Sequence, residues 1–311
     1  MPDLVTFGET MAALAPDRTG PLRHARSLGL AVAGAESTVA IGLARLGHDV
    51  TWIGRVGDDE LGLLVRDTLR GQGVDVRAVI DPTAPTGLML KERRTADVRR
   101  VHYYRTGSAG SRLVPDDIPK DLIDSARIVH TGAITAALSA TAASTVSAAI
   151  AGASFASFDA NFRSKLWSAA DYRHFVLARL PEVDLLFASI DEARILLERT
   201  EGDPDDLARA LKNAGPDEVV VTLGQDGAVC VDGDGKVHRI QARPVTLVDP
   251  VGAGDSFVAG YLSALLNGGD VPARLSTAAR VAAFSVSAEG DWEGLPTGAE
   301  LAVASATDIE R

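Results

Sequence analysis

The sequence predicts an α/β fold: a mostly parallel central sheet with helices on both faces, and a small β-sheet that stands off it as a lid. Two observations predict it. From Ile128 onward, short apolar runs suited to buried strands alternate with helical segments, as in a parallel sheet. Between Thr86 and Thr106, two runs are instead polar on alternate residues, as in a half-exposed hairpin. A chain of 311 residues, 46% of them hydrophobic, can bury a core of that size.

In order, Leu4 to Gly8 reads as a buried strand. Met11 to Ala33 has no helical period and carries scattered Pro, Gly and Arg. Ser37 to Leu46 has helical spacing and stops at Gly47, a residue suited to a helix C-terminus. Val50 to Ile53 reads as a strand. Asp58 is expected to cap a helix whose Leu61, Leu64, Val65 and Leu69 share one face, with Gly71 and Gly73 ending it. Thr86 to Glu92 and Arg99 to Thr106 pair as a hairpin, with its turn over Arg94 to Asp97. Strands at Ile128 to Thr131, Phe155 to Phe158, Leu185 to Phe187 and Val219 to Leu223 follow, with helices between them. Ala228 to Val231 and Val237 to Ile240, joined by Asp232-Gly233-Asp234-Gly235, form a second hairpin. Two helices, Asp255 to Leu266 and Ala273 to Ser287, close the chain. This assigns 1–10, 34–84 and 110–311 to the core, and 11–33 with 85–109 to the lid.

A net charge of −11 makes nucleic acid and anionic membranes poor partners. An anionic substrate would need basic residues gathered locally. Cys230 is the sole cysteine, which rules out an internal disulfide and fits a reducing compartment. Met1 to Ala15 carries Asp3 and Glu9 and no basic segment before an apolar run, so no signal peptide is expected, and a cytoplasmic location is. No apolar stretch has the length of a membrane span. The six histidines show no pair at metal-ligand spacing, so a zinc site is not expected. A Gly-x-Ser-x-Gly elbow and a Gly-x-x-x-x-Gly-Lys-Ser/Thr loop are both absent. A dinucleotide fingerprint fits poorly, because the Gly-rich turn comes late and lacks a third glycine at the required spacing.

That turn, Asp249-Pro250-Val251-Gly252-Ala253-Gly254-Asp255-Ser256-Phe257-Val258-Ala259-Gly260, is the most informative segment. Small residues let a ligand approach the backbone, and the free N–H groups of a helix N-terminus face a site suited to an anion. Asp255 stands at the same point. It would repel a phosphate unless it takes a proton from the alcohol attacking that phosphate. On spacing alone, a plain strand–helix turn with Asp255 as its cap is the rival reading.

The full string resembles the C-terminal signature of the PfkB group of carbohydrate kinases, in the ribokinase-like superfamily. Ala33-Gly34-Ala35-Glu36-Ser37-Thr38 through Gly47 resembles the group's N-terminal signature. Gly54-Arg55-Val56-Gly57-Asp58-Asp59 and Val221-Thr222-Leu223-Gly224-Gln225-Asp226-Gly227-Ala228 also sit in the group's order. The resemblance implies a ribokinase-like fold and phosphoryl transfer from ATP with Mg²⁺. A monovalent cation is left open as a further activator. Asp255 would be the base, and the N–H groups of Gly252, Ala253 and Gly254 an anion hole. Thr222, Gly224 and Gly227 would lie on the nucleotide side, with Gly252 and Gly254; a strand end turning into a hairpin explains the first three equally. Ser189-Ile190-Asp191-Glu192 occupies the place of the group's Asn-x-x-Glu segment. Ser189 would then be near the nucleotide and Glu192 would act on Mg²⁺ indirectly, or serve only as a helix-start acid.

Within the group, Tyr103-Tyr104-Arg105-Thr106-Gly107-Ser108 and Phe158-Asp159-Ala160-Asn161-Phe162-Arg163 resemble the 2-keto-3-deoxygluconate kinases. A sugar acid carries a carboxylate, which a guanidinium binds bidentately. The resemblance implies substrate contacts at Gly34, Thr38, Tyr103, Tyr104, Arg105, Arg163 and Asp255. Surface ion pairs for the arginines and packing for the tyrosines are the rival readings. Two residues depart from the pattern: Thr38 stands where the group usually has Asn, and Met89 where this subgroup often has Tyr. They keep open a neutral-sugar kinase of fructokinase or ribokinase type. A non-catalytic sugar or nucleotide sensor on the same fold and an NAD-dependent dehydrogenase are the rivals from other classes. A small sheet with one apolar face needs a partner, so a homodimer through the lids is expected.

Overall fold

A computed structural model describes residues 1–95 and 98–303. Its strands, in chain order, are β1 (Leu4–Phe7), β2 (Met11–Pro16), β3 (Leu28–Ala33), β4 (Val50–Gly57), β5 (Asp75–Asp81), β6 (Leu88–Arg93), β7 (Arg99–Tyr104), β8 (Ile128–Gly132), β9 (Ala156–Asp159), β10 (Leu185–Ser189), β11 (Glu218–Thr222), β12 (Ala228–Val231) and β13 (Val237–Ile240). Nine of them form one sheet in the order β13-β12-β11-β10-β9-β8-β1-β4-β5. Only the β11–β12 and β12–β13 pairs in it are antiparallel.

Strand alternation explains why both faces of this sheet need helices. In β1, Val5 and Phe7 join a cluster with Phe158, Val146 and Val176. Leu4, of opposite parity, joins Trp52, Leu43 and Leu262 in another. All nine are at most 1% exposed. At roughly 1.5–3 kcal/mol for each large apolar side chain buried, these two cores hold the sheet between its helices.

The remaining four strands make the second sheet, in the order β3-β2-β6-β7. Its register separates two faces. Met11, Ala13, Ala33 and Met89 are buried on one, with Val101 packed against them. On the other, Leu14 pairs with both Leu30 and Leu90, and Leu88 with Tyr104. Leu30 and Tyr104 are 53% and 63% exposed there.

Several boundaries differ from expectation. The helix after β4 is capped by Asp59, whose Oδ1 accepts from the Gly62 N–H at 2.7 Å, not by Asp58. β5 went unread, because Asp75-Val76-Arg77 opens a sheet edge with exposed charges instead of an apolar run. The closing helices run Ala253–Leu266 and Val271–Val286, and a third, Gly298–Val303, follows them. The turn expected over Arg94 to Asp97 falls partly outside the described residues, at Ala96 and Asp97, as does the chain after 303. Among the described residues, no helix is long and apolar enough to cross a membrane.

Candidate active site

The carboxyl ends of the parallel strands meet the second sheet around a cavity of about 840 Å³. β1 delivers Glu9 to it, β9 delivers Phe162 and Arg163, and the lid delivers Met89, Lys91, Tyr103 and Arg105. Ligands of open α/β sheets bind at such strand ends. Gly252 and Asp255 close the floor, at the N-terminus of helix Ala253–Leu266.

Gly252, not Asp255, caps this helix. Its φ of 77° is left-handed, and a Cβ there would lie 2.2 Å from the Asp291 carbonyl oxygen, so only glycine fits. Asp255 is the third helical residue and lends its side chain to the cavity. The first-turn N–H groups beside it have no partner within the helix; that of Ala253 donates at 3.3 Å to the Pro250 carbonyl, ahead of the helix. Burial pushes the Asp255 carboxyl up to about 7. Arg163 opposes the shift, while Glu36, Asp291 and Glu192 add to it.

Arg105 is held from behind. Its Nε and Nη2 lie 2.6 and 2.5 Å from Oε2 of Glu9, a carboxylate only 1% exposed. Ser108 donates to the other Glu9 oxygen. Arg163 is exposed and donates to the Phe162 carbonyl at 3.3 Å. Tyr103 stacks between two cations, its ring centroid 5.6 Å from Arg105 and 5.7 Å from Lys165. Tyr104 reaches the rim only, since its register places it on the outer face. Gly34 lines the cavity as the cap of helix Ala35–Arg45. Thr38 does not line it: the side chain is fully buried and its hydroxyl has no hydrogen-bond partner. Four basic side chains, Lys91, Arg105, Arg163 and Lys165, line the cavity beside three acidic ones, Glu9, Asp255 and Asp291, so positive charge is present there for an anionic ligand.

Of the expected nucleotide-side residues, Gly252 lines this cavity, while Ser189, Thr222, Gly224, Gly227 and Gly254 do not. Thr222 ends β11, and Gly224 and Gly227 both take left-handed backbone, at φ 61° and 95°. A Cβ on Gly227 would strike the Ile240 carbonyl, so the hairpin alone demands glycine there. Ser189 and Glu192 form a capping box. Glu192 also accepts from the Phe162 N–H at 2.7 Å, so main-chain donors occupy both of its oxygens. Burial, then the charges of Glu192 and Asp255, hold the Asp159 carboxyl well above its ordinary range. Arg163 and the Asn161 N–H offset part of that negative charge, and a cation would offset more. Among the described residues, no three such side chains converge as a ready ligand set. Mg²⁺ that arrives on a nucleotide needs only one or two carboxylates and water.

Sequence reasoning missed Glu9, Lys91, Asp159 and Asp291, since no spacing within the chain links them to Asp255. The Phe158-Asp159-Ala160-Asn161-Phe162-Arg163 string did contain a signal for Asp159.

Residues 1–298 match the pfkB family carbohydrate kinases. A 2-dehydro-3-deoxygluconokinase of Thermoproteus tenax is 40% identical over 303 residues, 96% of this chain and 92% of that one. A 2-dehydro-3-deoxygalactonokinase of Haloferax volcanii is 36% identical, over 99% of this chain and 96% of that one. The crystal structure of an uncharacterized sugar kinase from Pyrococcus horikoshii in complex with ATP superposes with a TM-score of 0.82, covers 96% of each chain and is 26% identical. With the family match spanning the whole of both sheets, the chain belongs to the pfkB family of carbohydrate kinases, enzymes that transfer phosphate to an alcohol group of a sugar.

Proposed function

We propose that the protein phosphorylates the terminal primary hydroxyl of 2-keto-3-deoxygluconate, using ATP and Mg²⁺. One observation carries this reading: Asp255 and two arginines, Arg105 and Arg163, line a single cavity whose floor is the amide-rich start of a helix. The arginines suit the sugar's carboxylate, and the far end of the chain of hydroxyls then falls to Asp255.

The steps follow from what these groups can do. The Asp255 carboxylate takes the proton of the attacking hydroxyl. The oxygen so freed forms a bond to the γ-phosphorus as the bond to the β-phosphate oxygen breaks, and ADP leaves. The N–H groups of Gly252, Ala253 and Gly254 offset the charge gathering on the transferred group. Mg²⁺ on the phosphates neutralises charge when bound, and Glu192 would act on it through water, with Asp159 nearby. Ser189, Thr222, Gly224 and Gly227 would border the nucleotide. Gly34 and Tyr103 would flank the sugar, with Tyr104 at the rim and Thr38 acting only through packing.

The epimeric acid 2-keto-3-deoxygalactonate is a second reading, favoured by the Haloferax relative's name. ADP release measured on both acids, fructose and ribose tests the proposal. Turnover of the acids well above the neutral sugars is expected; equal turnover of fructose or ribose would defeat the acid-sugar claim. We also propose that the exposed outer face of the lid, with Leu28, Leu30 and Tyr104, joins two copies as a homodimer.

A further inference from the structure

We propose that Lys91 is a positioning residue that couples the lid to the amide cradle at Gly252; this rests on the kinase reading above. Lys91 lies on β6 of the lid, inside the cavity, and its ammonium pairs with Asp291 of the core. Both side chains are nearly buried. Two further ties join lid strands to the same short segment of the core. Arg93, also on β6, meets Glu289 at 2.9 Å. The Trp292 indole N–H donates to the Val32 carbonyl on β3 at 3.0 Å.

Residues 289–292 are also what presses on the cradle. The Asp291 carbonyl sits where a Gly252 Cβ would be, and the Gly290 N–H donates at 3.4 Å to Asp249, whose other oxygen accepts from Val251 at 3.2 Å. The lid therefore reaches the left-handed Gly252 through Lys91 and Asp291. Both Gly252 and Asp255 sit on the resulting floor. With the lid down, the segment holds the amides in place. With Lys91 released, the cradle loses that support while the arginines stay where they are. Charged pairs this shielded from water also resist being broken singly, since one partner would be left unneutralised.

The experiment compares Lys91→Met and Lys91→Arg with the wild type. The readouts are ADP release with and without sugar, and hydrogen exchange at the amides of residues 252 to 256. Lys91→Met should lower kcat about tenfold or more with little change in the sugar KM, as for an interaction made in the transition state. It should also raise the share of ADP released without sugar and speed exchange at those amides. Lys91→Arg should recover most of each. The double variant with Asp291→Asn should be no worse than the worse single change, as for residues acting as a unit. Unchanged exchange and kcat in Lys91→Met would overturn the proposal. So would a loss confined to the KM of acid sugars, which would make Lys91 a substrate contact instead. If the wild type releases no ADP on any sugar, the kinase reading fails, and the exchange data still decide the coupling.

Discussion

Arg105 is anchored to Glu9 by two nitrogens, at 2.6 and 2.5 Å, across 96 residues of chain. The guanidinium is thereby tied to the core at Glu9, while Arg163, after β9, has no such anchor and is exposed. The two arginines should respond differently to removal. Arg105→Ala strands a buried carboxylate and should cost about 3–5 kcal/mol of stability, with a raised KM for the sugar acid. Arg163→Ala should raise the same KM and change stability by less than about 0.5 kcal/mol. Denaturant melts alongside sugar titrations would check the contrast.

The base itself should set the pH profile. Asp255 is held near 7 by burial, so its proton-accepting form dominates only above that pH. We expect kcat/KM to fall about tenfold per pH unit on the acid side of an apparent pKa near 7. A profile flat down to pH 5 would contradict this.

The same burial should show in stability. An aspartate whose folded value lies above its unfolded one favours the folded state only while protonated. The contribution is fully present below the unfolded value of 3.8 and is lost as pH rises through about 7. Asp255→Asn should therefore melt above the wild type at pH 8 and beside it at pH 4. Identical melting differences at the two pH values would show that the carboxylate is not buried at a cost.

Assembly through the lid can be tested on the outer face, where Leu30 is 53% exposed between Leu14 and the solvent-side rim. Light scattering should give a dimer for the wild type and a monomer for Leu30→Lys. A monomeric wild type at every working concentration would reject the interface.

Much of this was legible in the sequence, for identifiable reasons. Parallel strands buried on both faces read as apolar runs, so β8, β10 and β11 were found to within two residues, and the hairpin β12–β13 was found through its Gly-rich turn. β5 was missed because an edge strand keeps charges. Asp255, which lines the cavity, was singled out because its chemistry and its glycines are contiguous. Its neighbours in space were not, because Glu9, Lys91 and Asp291 come from three elements that only the fold brings together. Thr38 was expected at the sugar by position in a motif, yet its helix turns the hydroxyl inward.

The most direct test is ADP release from Asp255→Asn with 2-keto-3-deoxygluconate, beside calorimetric titration of ATP. A positioned base contributes about 10²–10⁴ in rate, so a loss of that size is expected while ATP affinity holds. A variant that turns over within a few-fold of the wild type would show that the proton goes elsewhere.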